Sequence, residues 1–250
     1  MFDAFSDVYD AMIDWPKRLA REGAFYRRWF ERFDVRNVVD MACGTGRHAA
    51  MFHEWGLRVE GADLSKAMID RAAAVFGEPE GLRWVVRGYE QSIAATEPFD
   101  AAICVGNSLA LASDLAAVNR AIDRALAGVR DGGLLIAHVQ NVWRLPDGPC
   151  EWQKCLRVTL SPLEQPARDA IVVRGTHRHG VCCYLELVVA DRANGRLLHS
   201  ESTRLVALEA GDLERMAIDG GAKVVEFFGG YDQQPYDRQQ SLDLVMVARK

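Results

Sequence analysis

Apolar positions along the chain fall into two rhythms. Over the first 140 residues, short unbroken apolar runs alternate with stretches at helical spacing. Leu19, Phe25, Trp29, Phe30 and Phe33 predict a helix over residues 14–33, with those rings as its core face. Val38-Val39-Asp40-Met41-Ala42 predicts a short buried strand ending in a glycine turn. A helix over 47–55, a strand over 57–62, a helix over 66–75 capped by Ser65, and strands over 82–86 and 101–105 follow. Leu115, Val118, Ile122, Ala125, Leu126 and Val129 share one face of a helix over 114–129, which Asp131-Gly132-Gly133 is expected to close before a strand over 134–139. Strand alternating with helix predicts a mostly parallel sheet covered on both faces.

Beyond residue 140 the rhythm changes. Residues 146–166 hold four prolines and show no helical pattern. Residues 171–176, 181–190 and 197–208 read as strands, and Asn194-Gly195 is a hairpin signal between two of them. A helix over 212–219, a turn at Gly220-Gly221 and strands over 223–228 and 242–248 restore the first pattern. The expected organisation is a core with an N-terminal helical cap over 1–145, an antiparallel β insertion over 146–208, and the closing helix and β-hairpin of the core over 209–250.

Charge and composition exclude several function classes. Lys and Arg number 30 against 35 Asp and Glu, a net charge of −5, which argues against a nucleic-acid partner. No apolar run approaches the roughly 20 residues of a membrane span, and the acidic, aromatic start of the chain lacks a signal peptide's basic and apolar regions. A cytoplasmic protein with no membrane partner is expected. The six cysteines form no C-x-x-C pair and no cysteine–histidine cluster of zinc spacing, so free thiols and no metal are expected.

The candidate chemistry lies at the first glycine turn. Gly44-Thr45-Gly46-Arg47-His48-Ala49 fits G-x-G-x-x-A, a pattern that lets a nucleotide-like ligand approach the backbone at a helix N-terminus. Two carboxylates separate the readings. Asp40, four residues before Gly44, would sit badly beside a pyrophosphate and suits a ligand with a cationic end. Asp63, 19 residues after Gly44, ends the second strand, where a carboxylate can accept both ribose hydroxyls. S-Adenosylmethionine has a ribose, a cationic tail and no phosphate. A nicotinamide or flavin dinucleotide and a plain tight turn are the competing readings.

The segment 38–46, in its D-x-x-C-G-T-G form, resembles the first motif of class I S-adenosylmethionine-dependent methyltransferases. Gly61-Ala62-Asp63-Leu64-Ser65, Phe99-Asp100 with Val105-Gly106-Asn107-Ser108, and Asp131-Gly132-Gly133-Leu134-Leu135 resemble its later motifs, over about residues 35–140. Ala42-Cys43-Gly44-Thr45-Gly46 together with Val105-Gly106-Asn107-Ser108 is most like the glycine and sarcosine N-methyltransferase group. The resemblance implies a Rossmann-like fold with a seven-stranded, mostly parallel sheet and an antiparallel last strand. It also implies methyl transfer from S-adenosylmethionine to a small-molecule acceptor, at nitrogen or, as the rival, at oxygen; a donor-binding protein without catalysis is the other alternative. Homo-oligomerisation stays open.

Carried over by position, Gly44 and Gly46 form the donor turn with Asp40 beside it, and Asp63 holds the ribose. Leu64 and Met68 flank the adenine, and Gly88 and Tyr89 cover its edge. Ala42 and Val105 offer carbonyls to the ammonium. Arg18 pairs the donor carboxylate, with Arg21 as rival, and Tyr9 closes over the donor. Asn107, Gln140 and Asn141 are the acceptor candidates. Those enzymes place an arginine after strand five, where this chain has Gln140, and a histidine where it reads Leu109-Ala110-Leu111. No catalytic residue is assigned. A methyl displacement needs alignment more than a base. His48 is expected at a helix cap or surface, His138 as a satisfied core residue, and Arg144, Arg174 and Arg204 as solvated. His177-Arg178-His179 is expected to be a polar turn.

Overall fold

Three helices start where the sequence places an oxygen to receive an unpaired backbone N–H. In the computed structural model, which describes residues 6–93, 95–148, 152–163 and 166–250, Asp14 caps α2 (Trp15–Arg32) through the Lys17 N–H at 3.2 Å. Ser65 caps α4 (Lys66–Phe76) through Met68, and Asp114 caps α5 (Leu115–Gly128) through Ala117. With α3 (Arg47–Glu54) and α6 (Ala210–Asp219), they cover a seven-stranded sheet.

The strands are β1 (Asn37–Asp40), β2 (Arg58–Asp63), β3 (Leu82–Val86), β4 (Phe99–Cys104), β5 (Val129–Gln140), β10 (Val224–Phe228) and β11 (Asp243–Arg249). Their order is β10-β11-β5-β4-β1-β2-β3. Neighbours run parallel except at β11, which is antiparallel to both β5 and β10. This is the mostly parallel sheet that the alternation predicts, with the antiparallel last strand that the family resemblance implies. Its two faces bury separate clusters. Phe25, Tyr26, Trp29, Phe30 and Phe52 lie on one side. Val118, Ile122, Leu126, Leu213 and Met216 lie on the other.

A second sheet, order β6-β7-β8-β9, is antiparallel throughout. It comprises β6 (Lys154–Leu160), β7 (Arg168–His179), β8 (Cys182–Asp191) and β9 (Leu197–Leu205). Val158, Leu160, Val172, Leu187 and Val189 pack on Val8 of a short helix, α1 (Ser6–Met12).

Several boundaries differ from the expectation. α5 stops at Gly128, not at the Asp131-Gly132-Gly133 turn. β5 runs straight through that turn because Gly132 takes φ 74° and Gly133 lets β4 come close; a Cβ there would stand 2.7 Å from the Asp100 oxygen. The sequence pattern omits α1, whose seven residues are too few for a period, and β6, whose alternation is hidden by prolines on both sides. His177-Arg178-His179 ends β7 rather than turning; His177 stacks on Tyr184 of β8, and the turn follows at Gly180. Five cysteines are free; Cys150 lies outside the described residues. Among the described residues no helix is long and apolar enough to cross a membrane.

Candidate functional site

The two glycines after β1 serve different needs. Both have positive φ, 54° at Gly44 and 80° at Gly46, a conformation glycine adopts without steric cost. A Cβ on Gly46 would stand 2.5 Å from the Trp84 ring and 2.9 Å from the Ala72 methyl, so Gly46 is required by packing. A Cβ on Gly44 would meet only Tyr9 Cε1, at 3.6 Å. Gly44 therefore presents bare backbone to the space beneath Tyr9. Its N–H donates to Asp63 Oδ2 at 2.9 Å, and Ser65 N–H donates to Asp63 Oδ1 at 2.9 Å. The carboxylate at the end of β2 thus fixes the turn after β1.

Beside Asp63, Leu64 is 72% exposed, an apolar side chain left uncovered at the C-terminal edge of the sheet. Gly88 faces it, since a Cβ there would lie 3.5 Å from Leu64 Cδ1, and its N–H is held by Gln91 Oε1 at 2.9 Å. Met68 is buried, and Tyr89 is half-buried against the α5 side of the core. Across the turn, the Asp40 carboxyl is 1% exposed with one weak partner, the Ala42 N–H at 3.4 Å. Burial pushes it up to about 8; the Ala42 N–H and Arg18 only partly oppose this, and Asp63 adds to it. A buried carboxyl that resists ionisation gains from a cationic ligand.

The next turn, after β4, is Val105-Gly106-Asn107-Ser108. The Val105 carbonyl accepts from Ser108 Oγ at 2.8 Å. Gly106 and Asn107 both have positive φ, 77° and 75°. Gly106 N–H donates to His138 Nδ1 at 3.2 Å, and Asn107 Oδ1 accepts from the Gln140 N–H at 2.9 Å. These bonds tie the end of β4 to the end of β5.

Two N-terminal helices roof these turns. A Cβ on Gly106 would lie 3.5 Å from Arg18 Nη2 and 3.6 Å from the Tyr9 hydroxyl, so both groups converge there. Arg18 Nε donates to Glu22 Oε1 at 2.9 Å, and His48 Nε2 lies 2.8 Å from Glu22 Oε2. Glu22 is 1% exposed. Burial opposes its charge, but His48 and Arg18 outweigh burial and hold it at about 2. Burial lowers the His48 pKa despite Glu22, so at neutral pH a neutral ring donates the Nε2 hydrogen. Arg21 reaches the same Glu22 oxygen at 3.3 Å from an exposed position, which leaves Arg18 as the arginine directed at Gly106. Asp10 latches α1 down: Thr45 Oγ1 lies 2.6 Å from its Oδ1, and Trp15, Arg47 and Arg71 also donate to it. Burial opposes that charge as well, yet these partners hold the carboxyl below its usual range.

Asp10 and Glu22 were not singled out by the sequence. Their partners lie up to 61 residues away, and no local spacing marks them. His48 is not at a surface; it is 4% exposed and bonded to Glu22. His138 is tied to Gly106, and its Nε2 lies 3.1 Å from Asp243 Oδ1, off the line of a hydrogen bond. Asn141 does not reach the site. Its Nδ2 donates to the Arg238 and Ser241 carbonyls, its Oδ1 accepts from Trp143 and Tyr236, and it is 1% exposed.

Under the roof lies a cavity of about 550 Å³. Tyr9, Arg18, Glu22, Gly106, Asn107, His138 and Gln140 line one end, and β6–β9 wall the other through Lys154, Leu156, Arg174, Thr176, Leu185 and Leu187. Gln140 Oε1 accepts from Thr176 Oγ1 at 3.2 Å, joining the two sheets across it. Arg174 is half-buried here rather than solvated.

Residues 38–133 match the model of a family described as a methyltransferase domain. Asp40, the Gly44 turn and Asp63 fall within the matched segment. The chain is 32% identical over 149 residues to the glycine/sarcosine N-methyltransferase of Parasynechococcus marenigrum, covering 58% of this chain and 52% of that protein. It spans about half the length of the curated relatives it matches. In fold it is similar to the methyltransferase CcbJ of Streptomyces caelestis, with TM-score 0.76, 20% identity and coverage of 99% and 96%. The sugar N-methyltransferase KedS8 of Streptoalloteichus sp. is also similar, with TM-score 0.72, 23% identity and coverage of 93% and 87%. The methyltransferase-domain match stops at residue 133, so it takes in the Gly44 turn and leaves out the second sheet.

Proposed function

We propose that the chain transfers a methyl group from S-adenosylmethionine to a small molecule, at nitrogen. The observation that carries this reading is the cavity that opens on the Gly106-Asn107 turn and is walled by the second sheet. Its 550 Å³ suits a small ligand, and β6–β9 wall one side of it.

The residues at the donor end fit the donor. Asp63 accepts the ribose hydroxyls while keeping its hold on Gly44. Leu64, with Met68 behind it and Gly88 and Tyr89 opposite, offers an apolar face to the adenine. Asp40 and the carbonyls of Ala42 and Val105 favour the cationic end, and Arg18 pairs the carboxylate under Tyr9. When bound, the donor supplies an electrophilic methyl on a sulfonium. The protein's part is approach and alignment. Asn107 and Gln140, locked to each other, hold the acceptor in line, and α1 and α2 exclude water.

Nitrogen is favoured over oxygen because a free amine attacks without a dedicated base. His48 is sealed against Glu22 and cannot serve as one. The names of the curated relatives, N-methyltransferases, point the same way. The test is adenosylhomocysteine formation over a panel of small amines and matched alcohols. Turnover of amines supports the reading; turnover of alcohols alone, or tight binding of a dinucleotide with none for S-adenosylmethionine, overturns it.

A further inference from the structure

The cavity wall built by the second sheet carries positive charge that no described carboxylate neutralises. Lys154, Arg174, Leu187 and Glu201 are cross-strand partners in one row of β6, β7, β8 and β9, and all four line the cavity. Glu201 lies beyond Leu187 and is taken up by His199 at 3.1 Å and Thr203 at 3.2 Å. Of the other described carboxylates of the cavity, Glu22 is engaged by Arg18, Arg21 and His48, Asp14 caps the start of α2, and Asp243 lies 3.1 Å from His138. Among the described residues, no carboxylate meets the Arg174 guanidinium and no side-chain hydrogen bond engages it. Burial works against its charge, which Tyr9 favours and Arg18 opposes, and burial, Arg174 and Arg21 work against that of Lys154. A desolvated guanidinium without a counter-charge is costly to keep, and a ligand oxyanion bound in its fork would offset that cost. Leu156, Leu185, Leu187, Met12 and Ile13 line the same cavity.

We infer that Arg174, with Lys154 beside it, is a specificity site for an oxyanion on the methyl acceptor, a carboxylate or a phosphate at the far end of an apolar body from the amine. This rests on the reading of the cavity as the acceptor pocket. It also explains why Gln140 can stand where the resembling enzymes have an arginine: the cation comes from β7 instead of from the end of β5.

Two experiments test it. In the first, adenosylhomocysteine formation is followed with amines matched in body but bearing a neutral, carboxylate or phosphate end. The wild type is expected to prefer one anionic series at least tenfold in kcat/KM. Arg174→Gln should abolish the preference, Arg174→Lys should restore part of it, and both should leave the Kd for S-adenosylmethionine within twofold. Preference for neutral amines overturns the inference. So does an Arg174→Gln variant that loses donor affinity but keeps acceptor preference, which would make Arg174 a donor ligand. The second experiment needs no turnover. Protein saturated with adenosylhomocysteine is titrated with inorganic phosphate or succinate at constant ionic strength, with chloride as control. A rise in Tm with one oxyanion in the wild type and none in Arg174→Gln supports the site; equal responses overturn it. If S-adenosylmethionine itself neither binds nor turns over, the proposed function fails, whereas intact donor binding with no oxyanion response overturns this inference alone.

Discussion

The two sheets meet the cavity in opposite ways. At the parallel sheet, nearly every buried charge is answered by the protein itself: Glu22 by Arg18 and His48, Asp63 by two backbone N–H groups, Asp10 by four donors. Asp40 is the exception, a buried carboxyl held only by the Ala42 N–H at 3.4 Å. At the antiparallel sheet the exception is a cation, Arg174. In the proposed reading, one side is prebuilt around a donor of fixed form, and the other holds a charge for the acceptor to complete.

That contrast can be broken most directly through stability. Glu22→Gln removes one partner of a buried charged network and should cost about 3–5 kcal/mol in urea unfolding, whereas Arg174→Gln should cost nothing and can stabilise. Equal losses would erase the distinction. The Glu22 contribution also has a definite pH sense. Its folded pKa of about 2 lies below the ordinary 4.5, so the contribution is present above that value and is lost as pH falls through about 2.

Donor affinity gives the next largest effect. Asp63→Ala should weaken S-adenosylmethionine binding by about 1.5–3 kcal/mol in calorimetry, the range of hydrogen bonds to a charged group. Unchanged affinity would refute the ribose assignment. The two glycines separate packing from approach. Each alanine substitution carries about 1–2 kcal/mol of left-handed backbone strain. Gly46→Ala should lose more stability than Gly44→Ala because of the Trp84 clash, and Gly44→Ala should lose more donor affinity relative to its stability change. The reverse order would mean that Gly44 is not the point of approach.

The smallest effect is in protons. Asp40 is raised from 3.8 to about 8, so its contribution to stability is present below 3.8 and is lost as pH rises through 8, opposite in sign to that of Glu22. A cationic donor favours the ionised form. Binding at pH 7 should therefore release up to about one proton and tighten as pH rises toward 8. Calorimetry in buffers of different ionisation enthalpy reads this, and Asp40→Asn should abolish it. Proton uptake would contradict the account.

The parallel sheet and the turns that form its candidate site were legible because their signals are local. The strand Val38–Asp40, the Gly44 turn and Asp63 sit in one stretch of chain, and turn chemistry dictates their residue types. The second sheet was legible as strands but not as a site. Whether Arg174 meets water or a cavity depends on register across four strands and on α1, which packs on them from more than 140 residues away. Asn141 misled for a related reason. It follows β5 where ligands gather, but the closing loop supplies the Arg238 and Ser241 carbonyls that turn it inward.

The central claim is that Asp40, Gly44 and Asp63 form a seat for S-adenosylmethionine rather than for a dinucleotide. Calorimetric titration of the wild-type chain with S-adenosylmethionine and, separately, with a nicotinamide dinucleotide tests it most directly. The account predicts saturable binding of the first, weakened in Asp63→Ala, and none of the second. Dinucleotide binding with no response to S-adenosylmethionine would contradict it.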